Sequence, residues 1–79
     1  MKWLRVVAHA VMRWEESVGR KVRALRKAKG QTQEALAHDA GIAMRYLAGI
    51  ERGEENPTLA VLVRLATALN VEPKELLDQ

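Results

Sequence analysis

Between Ile42 and Gly53, the side chains best suited to surface chemistry are Arg45 and Arg52, set among Met44, Ala48 and Gly49. At helical spacing Leu47 and Ile50 take one side, which leaves Met44, Arg45, Ala48, Gly49 and Arg52 on an opposite arc of about 140°. Small residues on such an arc let a helix backbone come close to a flat partner. Arg45 supplies a long, planar donor that matches the O6 and N7 acceptors of guanine, and Met44 suits a thymine methyl. The chemistry this pattern offers is recognition by hydrogen bonds and apolar contact, with no bond made or broken.

No other group of residues competes with it. His9 and His38 are far apart in sequence, and Asp39 is the only carboxylate beside either, so no metal-ligand spacing arises. Glu15-Glu16 and Glu54-Glu55 are paired carboxylates without a nucleophile or base in train, and they read as solvated faces. There is no cysteine, so neither a disulfide framework nor a thiolate site is available. The expectation is no catalytic residue, no metal and no cofactor; the chain is not an enzyme.

With 79 residues, there is room for one domain and a modest core, and function must sit on a surface. The net charge of +3 is unevenly spread. Residues 1–30 hold nine basic side chains against two acidic ones, and the remainder holds four against eight. A basic first segment suits a polyanion, although a solvated basic helix has the same composition. Lys2 and Arg5 ahead of Val6-Val7-Ala8 superficially resemble a signal peptide, but the apolar run is too short. No stretch is long and apolar enough for a membrane span, and a cytoplasmic location is the expectation.

The elements that must position the arc are legible as helices. Val18, Val22 and Leu25 recur at i, i+4 and i+7, so 17–29 reads as an amphipathic helix ended by Gly30. Thr32 offers a hydroxyl to the free amides of a second helix, 33–39, with Leu36, Ala37 and Ala40 inward. Gly41 supplies the tight turn, Ala43 is a weak N-cap, and Ile42 with Leu47 forms a hydrophobic staple at the entry to the third helix. Thr58 caps a fourth, 59–70, with Leu59, Leu62, Ala66 and Leu69 on the core spacing and Val61, Leu65 and Ala68 as a second apolar stripe needing a partner. Glu72-Pro73 opens a short last helix with Leu76 and Leu77 turned inward. Ahead of all these, Trp3, Val6, Val7, Ala10, Val11 and Trp14 share one helical side, which predicts an additional N-terminal helix. That segment is a candidate cover for the Val61, Leu65 and Ala68 stripe, within the chain or across a dimer axis.

The runs Thr32-Gln33-Glu34-Ala35-Leu36-Ala37, Gly41-Ile42, Tyr46-Leu47-Ala48-Gly49-Ile50-Glu51-Arg52-Gly53 and Asn56-Pro57-Thr58-Leu59 together resemble the XRE family of helix-turn-helix regulators. That family includes Cro, the lambdoid phage repressors and the controller proteins of restriction-modification systems. The resemblance spans Val18 to Leu77 and implies an all-α, five-helix, lambda-repressor-like domain at 17–79, with 1–16 as a helical extension. It further implies a homodimer on a double-stranded DNA operator, with the recognition helix at 43–52.

By the same resemblance, Gln33 matches a glutamine that bonds phosphate and sometimes base. Met44, Arg45 and Gly49 match base-reading positions, and Tyr46, Arg52 and Asn56 match positions beside the sugar-phosphate backbone. With the flanking Thr32 and Ala43 these make up the expected DNA-binding set, and Arg26 and Glu51 match a structural ion pair. Many relatives have Ser where this chain has Ala43 and Ala48, and some a longer polar side chain at Gly49. Those departures remove a cap and possible contacts, and they motivate a rival reading: a protein-interaction or antitoxin-like module on the same scaffold.

Overall fold

The computed structural model describes the backbone of residues 2–77 and the side chains of residues 14–77. Five helices follow in order: α1 (Lys2–Ala28), α2 (Gln33–Ala40), α3 (Met44–Glu51), α4 (Leu59–Leu69) and α5 (Lys74–Leu77). There is no strand among the described residues. The expected all-α, five-helix architecture is what is found.

The two helical patterns of the first thirty residues are a single rod in the structure. Nothing between Trp14 and Val18 can end a helix, since Glu15, Glu16 and Ser17 are neither Gly nor Pro, and α1 runs through unbroken. Along its inner side Val18 and Val22 are buried, while Trp14 and Leu25 are half-buried against the core. The side chains of Trp3, Val6, Val7, Ala10 and Val11 lie outside the described residues.

Around Val18 and Val22 gather Leu36, Ala37 and Ala40 of α2, Leu47 and Ile50 of α3, Leu62, Leu65, Ala66 and Leu69 of α4, and Leu76 of α5. Each of the larger aliphatic side chains contributes about 1.5–3 kcal/mol through its removal from water. This one core fixes α2 and α3 against α1 and α4.

Local chemistry sets the helix ends. The Thr32 hydroxyl accepts from Ala35 N–H at 3.0 Å, and the Thr58 hydroxyl accepts from Val61 N–H at 3.2 Å. Both satisfy an amide that has no partner within its helix. Gly41 adopts φ 71°, and Ile42 N–H then reaches Ala37 O at 3.0 Å, which turns the chain sharply from α2 toward α3. Asn70 serves α4 in the same way at φ 59°, so this helix stops one residue earlier than its periodicity predicts. At the start of α3, Ala43 gives no side-chain cap.

Three expectations about α4 and α5 are corrected. Leu59, expected inward, is 69% exposed. It is the first residue of α4, and a helical side chain there leans back over the N-terminal end, away from the core. Val61, Leu65 and Ala68 leave no uncovered stripe, since Leu65 is wholly buried and the other two are half-buried against the core. Helix α4 packs against α2, α1 and α5, so most of both apolar stripes, Leu59 excepted, is turned to neighbouring helices. Leu77 is exposed while Leu76 is buried, because consecutive residues of a one-turn helix diverge by roughly 100° and only one can face inward.

Candidate nucleic-acid interface

Helix α3 is eight residues long, too short to hold itself in place, and its C-terminal end is fixed by neighbouring elements. At the C-terminal end, Arg26 from the last turn of α1 grips Glu51, the last residue of α3. Arg26 Nε donates to Glu51 Oε2 at 2.7 Å and Nη2 donates to Oε1 at 3.0 Å, a two-pronged pair between buried side chains. The third guanidinium nitrogen, Nη1, donates to Gln31 O at 2.8 Å, tying the same arginine to the loop before α2. Hydrogen bonding to Glu51 raises the Arg26 guanidinium above its usual value, and the Glu51 charge adds to this against the cost of burial.

Gln33, expected at a phosphate, is also part of this lock. Its Nε2 donates to Glu51 Oε1 at 3.0 Å. A side-chain amide carries two N–H groups, so one fixes the rotamer while the second can still donate. The Arg26–Glu51 pair expected from the resemblance is present; its link to Gln33 is an addition that the sequence reading lacked.

A second unanticipated feature acts on the backbone at the same end of α3. Gly19 of α1 is buried, and a Cβ there would collide with the carbonyl oxygen of Ile50 and come within 3.0 Å of that of Glu51. Helix α1 thus rests directly on the backbone at the end of α3. An isolated Gly inside an otherwise regular helix costs about 1 kcal/mol relative to Ala, and that local cost is the sequence signal that would have exposed the contact.

The outward face of α3 carries Met44, 50% exposed, and Arg45, also exposed. Ala48 is half-buried, and Ala43, Arg52 and Asn56 are exposed. Tyr46 is half-buried and packs on the core, while Thr32 spends its hydroxyl on the α2 cap. Arg52 Nη2 lies 3.1 Å from Glu54 Oε1 in a solvent-exposed pair. Gly49 departs from the open, outward position read from its helical angle. It is buried beneath the side chain of Glu55, with a hypothetical Cβ 2.8 Å from Glu55 Cγ and 3.2 Å from Oε2. Periodicity places a residue around its own helix axis and has no information about a side chain folding back from the following loop.

Among the described residues there is no cluster of His, Cys, Asp or Glu that could hold a metal. No helix is long and apolar enough to cross a membrane, among the residues described. The face that remains is partly basic and is mounted on α1 and α2 through Ile50 and Glu51.

Comparison with known proteins agrees with this geometry. The HTH_3 helix-turn-helix family model matches residues 22–76. The control protein C.BamHI of Bacillus amyloliquefaciens is 41% identical over 61 residues, 76% of this chain and 75% of its own length. The crystal structure of the restriction-modification controller protein C.AhdI from Aeromonas hydrophila superposes with a TM-score of 0.77 at 45% identity, covering 78% of this chain and 94% of that one. The biofilm master regulator SinR, solved in complex with DNA, gives 0.74 at 37% identity, covering 77% of this chain and 98% of that one. The chain belongs to the HTH_3 helix-turn-helix family, the XRE-type DNA-binding transcriptional regulators, which are not enzymes.

Proposed function

We propose that this protein is a sequence-specific transcriptional regulator that acts as a homodimer in the cytoplasm and places α3 of each subunit in the major groove. The observation that carries this reading is the exposure of Met44 and Arg45 on a short helix locked from behind by Arg26, Glu51 and Gln33. A dimer would present its two recognition helices at half-sites about one helical turn, roughly 34 Å, apart. On this reading residues 17–79 are the DNA-binding unit and residues 1–16 an N-terminal extension to it. In this arrangement Arg45 bonds a guanine edge, Met44 meets a thymine methyl, and the small Ala48 lets the backbone approach. Gln33, Tyr46, Arg52 and Asn56 face phosphates, with Thr32 and Ala43 at the helix starts beside them.

The similarity to control proteins of restriction-modification systems supports a regulator of that kind over an antitoxin-like module. The test is a salt titration followed by two variants. Wild-type protein should bind random-sequence duplex, with log affinity falling by about 0.9 per phosphate contact for each decade of salt. Against a duplex selected from a random pool, Arg45→Ala should lose about 1–3 kcal/mol and relax preference at one base pair. Gln33→Ala should weaken binding to all sequences alike. Absence of binding to any duplex at low salt would instead favour the protein-interaction reading.

A further inference from the structure

The outward arc of α3 is engaged at two places by the chain's own carboxylates, and the two differ in kind. Glu54 faces Arg52, so its charge is matched. Glu55 makes no ion pair among the described residues; its side chain lies across Gly49 in the middle of the arc, where only a glycine leaves room for it. The backbone on either side of it is anchored. Glu54 N–H donates to Gly49 O at 2.9 Å, and Pro57, two residues on, is buried.

On the reading proposed above, a face that enters the major groove carries this carboxylate in with it. We infer that Glu55 is a specificity-determining residue that accepts a hydrogen bond from the N4 amino group of a cytosine. An ionised carboxylate can only accept, and most of the groove edge consists of acceptors: N7 and O6 of guanine, N7 of adenine and O4 of thymine. Those groups repel it. Adenine offers an amino group with an acceptor beside it on the same base, whereas cytosine presents its N4 donor alone. The carboxylate therefore penalises three bases and favours the fourth, and it does so from the surface left open by Gly49. Glu55 adds a negative readout to the positive one of Arg45, so the two together distinguish the two orientations of a G·C pair.

Duplexes selected from a random pool by wild type, Glu55→Ala, Glu55→Gln and Glu72→Gln test this directly. Glu72 belongs to the segment entering α5, an element that packs on α1 and α4, so Glu72→Gln matches the charge change of Glu55→Gln away from the outward face of α3. Wild type and Glu72→Gln should both select a cytosine at one position of each half-site, and both Glu55 variants should lose that preference. Replacing this base pair in the best wild-type site should cost the wild type about tenfold in affinity and Glu55→Ala less than about twofold. Identical preferences at every position for wild type and Glu55→Ala would overturn the inference while leaving DNA binding intact. Failure of the wild type to select any duplex would remove the DNA-binding reading, and this inference with it.

Discussion

Glu51→Ala should lower folding stability by about 3–5 kcal/mol, the range for removing one member of a buried ion pair. The arginine left behind is only 10% exposed in its side chain and would lose both carboxylate bonds in a site that water barely reaches. Gln33 Nε2 would lose its acceptor in the same step. Small domains are stable by roughly 5–15 kcal/mol in total, so the variant should be near the edge of folding. A thermal melt followed by circular dichroism should show the midpoint falling by more than about 12 °C. Replacing both partners with apolar residues, Arg26→Met with Glu51→Leu, should recover much of the loss, since no charge is then stranded. A Glu51→Ala melt within a few degrees of wild type would mean that the pair does not hold α3.

Gly19→Ala is the second large effect. Alanine normally improves a helix interior by about 1 kcal/mol, but here the added methyl meets the carbonyl oxygens of Ile50 and Glu51. Main chain cannot swing aside as a side chain can, so α1 and the end of α3 must separate, at a cost of about 1–3 kcal/mol. Gly49→Ala provides the control. Its methyl meets the exposed Glu55 side chain, whose rotamer can shift as main chain cannot, so urea unfolding should place this variant between wild-type stability and about 1 kcal/mol above it, the helix-propensity gain. Equal destabilisation by the two substitutions would contradict the account of how α1 seats against α3.

Much of this architecture is visible in the residues themselves, because the informative signals are local. The Thr32 and Thr58 caps, the Gly41 turn and the Leu47 and Ile50 face depend on neighbours within one or two turns, and the structure has all of them. Leu59 and Leu77 are exposed although their spacing predicts them inward, because burial at a helix end is decided by where other helices reach, which the 3.6-residue period cannot convey. The same limit explains the interface. Met44 and Arg45 are exposed as the period requires, but Gly19 beneath Ile50, Gln33 on Glu51 and Glu55 over Gly49 are long-range or loop-to-helix contacts. Of these, only Gly19 carries a mark in the sequence, as a helix-interior glycine without a local purpose.

The most direct measurement follows backbone amide shifts of labelled protein as a duplex selected by that same protein is added. Amides of Gln33, Met44, Arg45 and Ala48 should move most, with α5 nearly silent. Shifts concentrated on α4 and α5, or none at saturating duplex, would contradict a groove-reading α3.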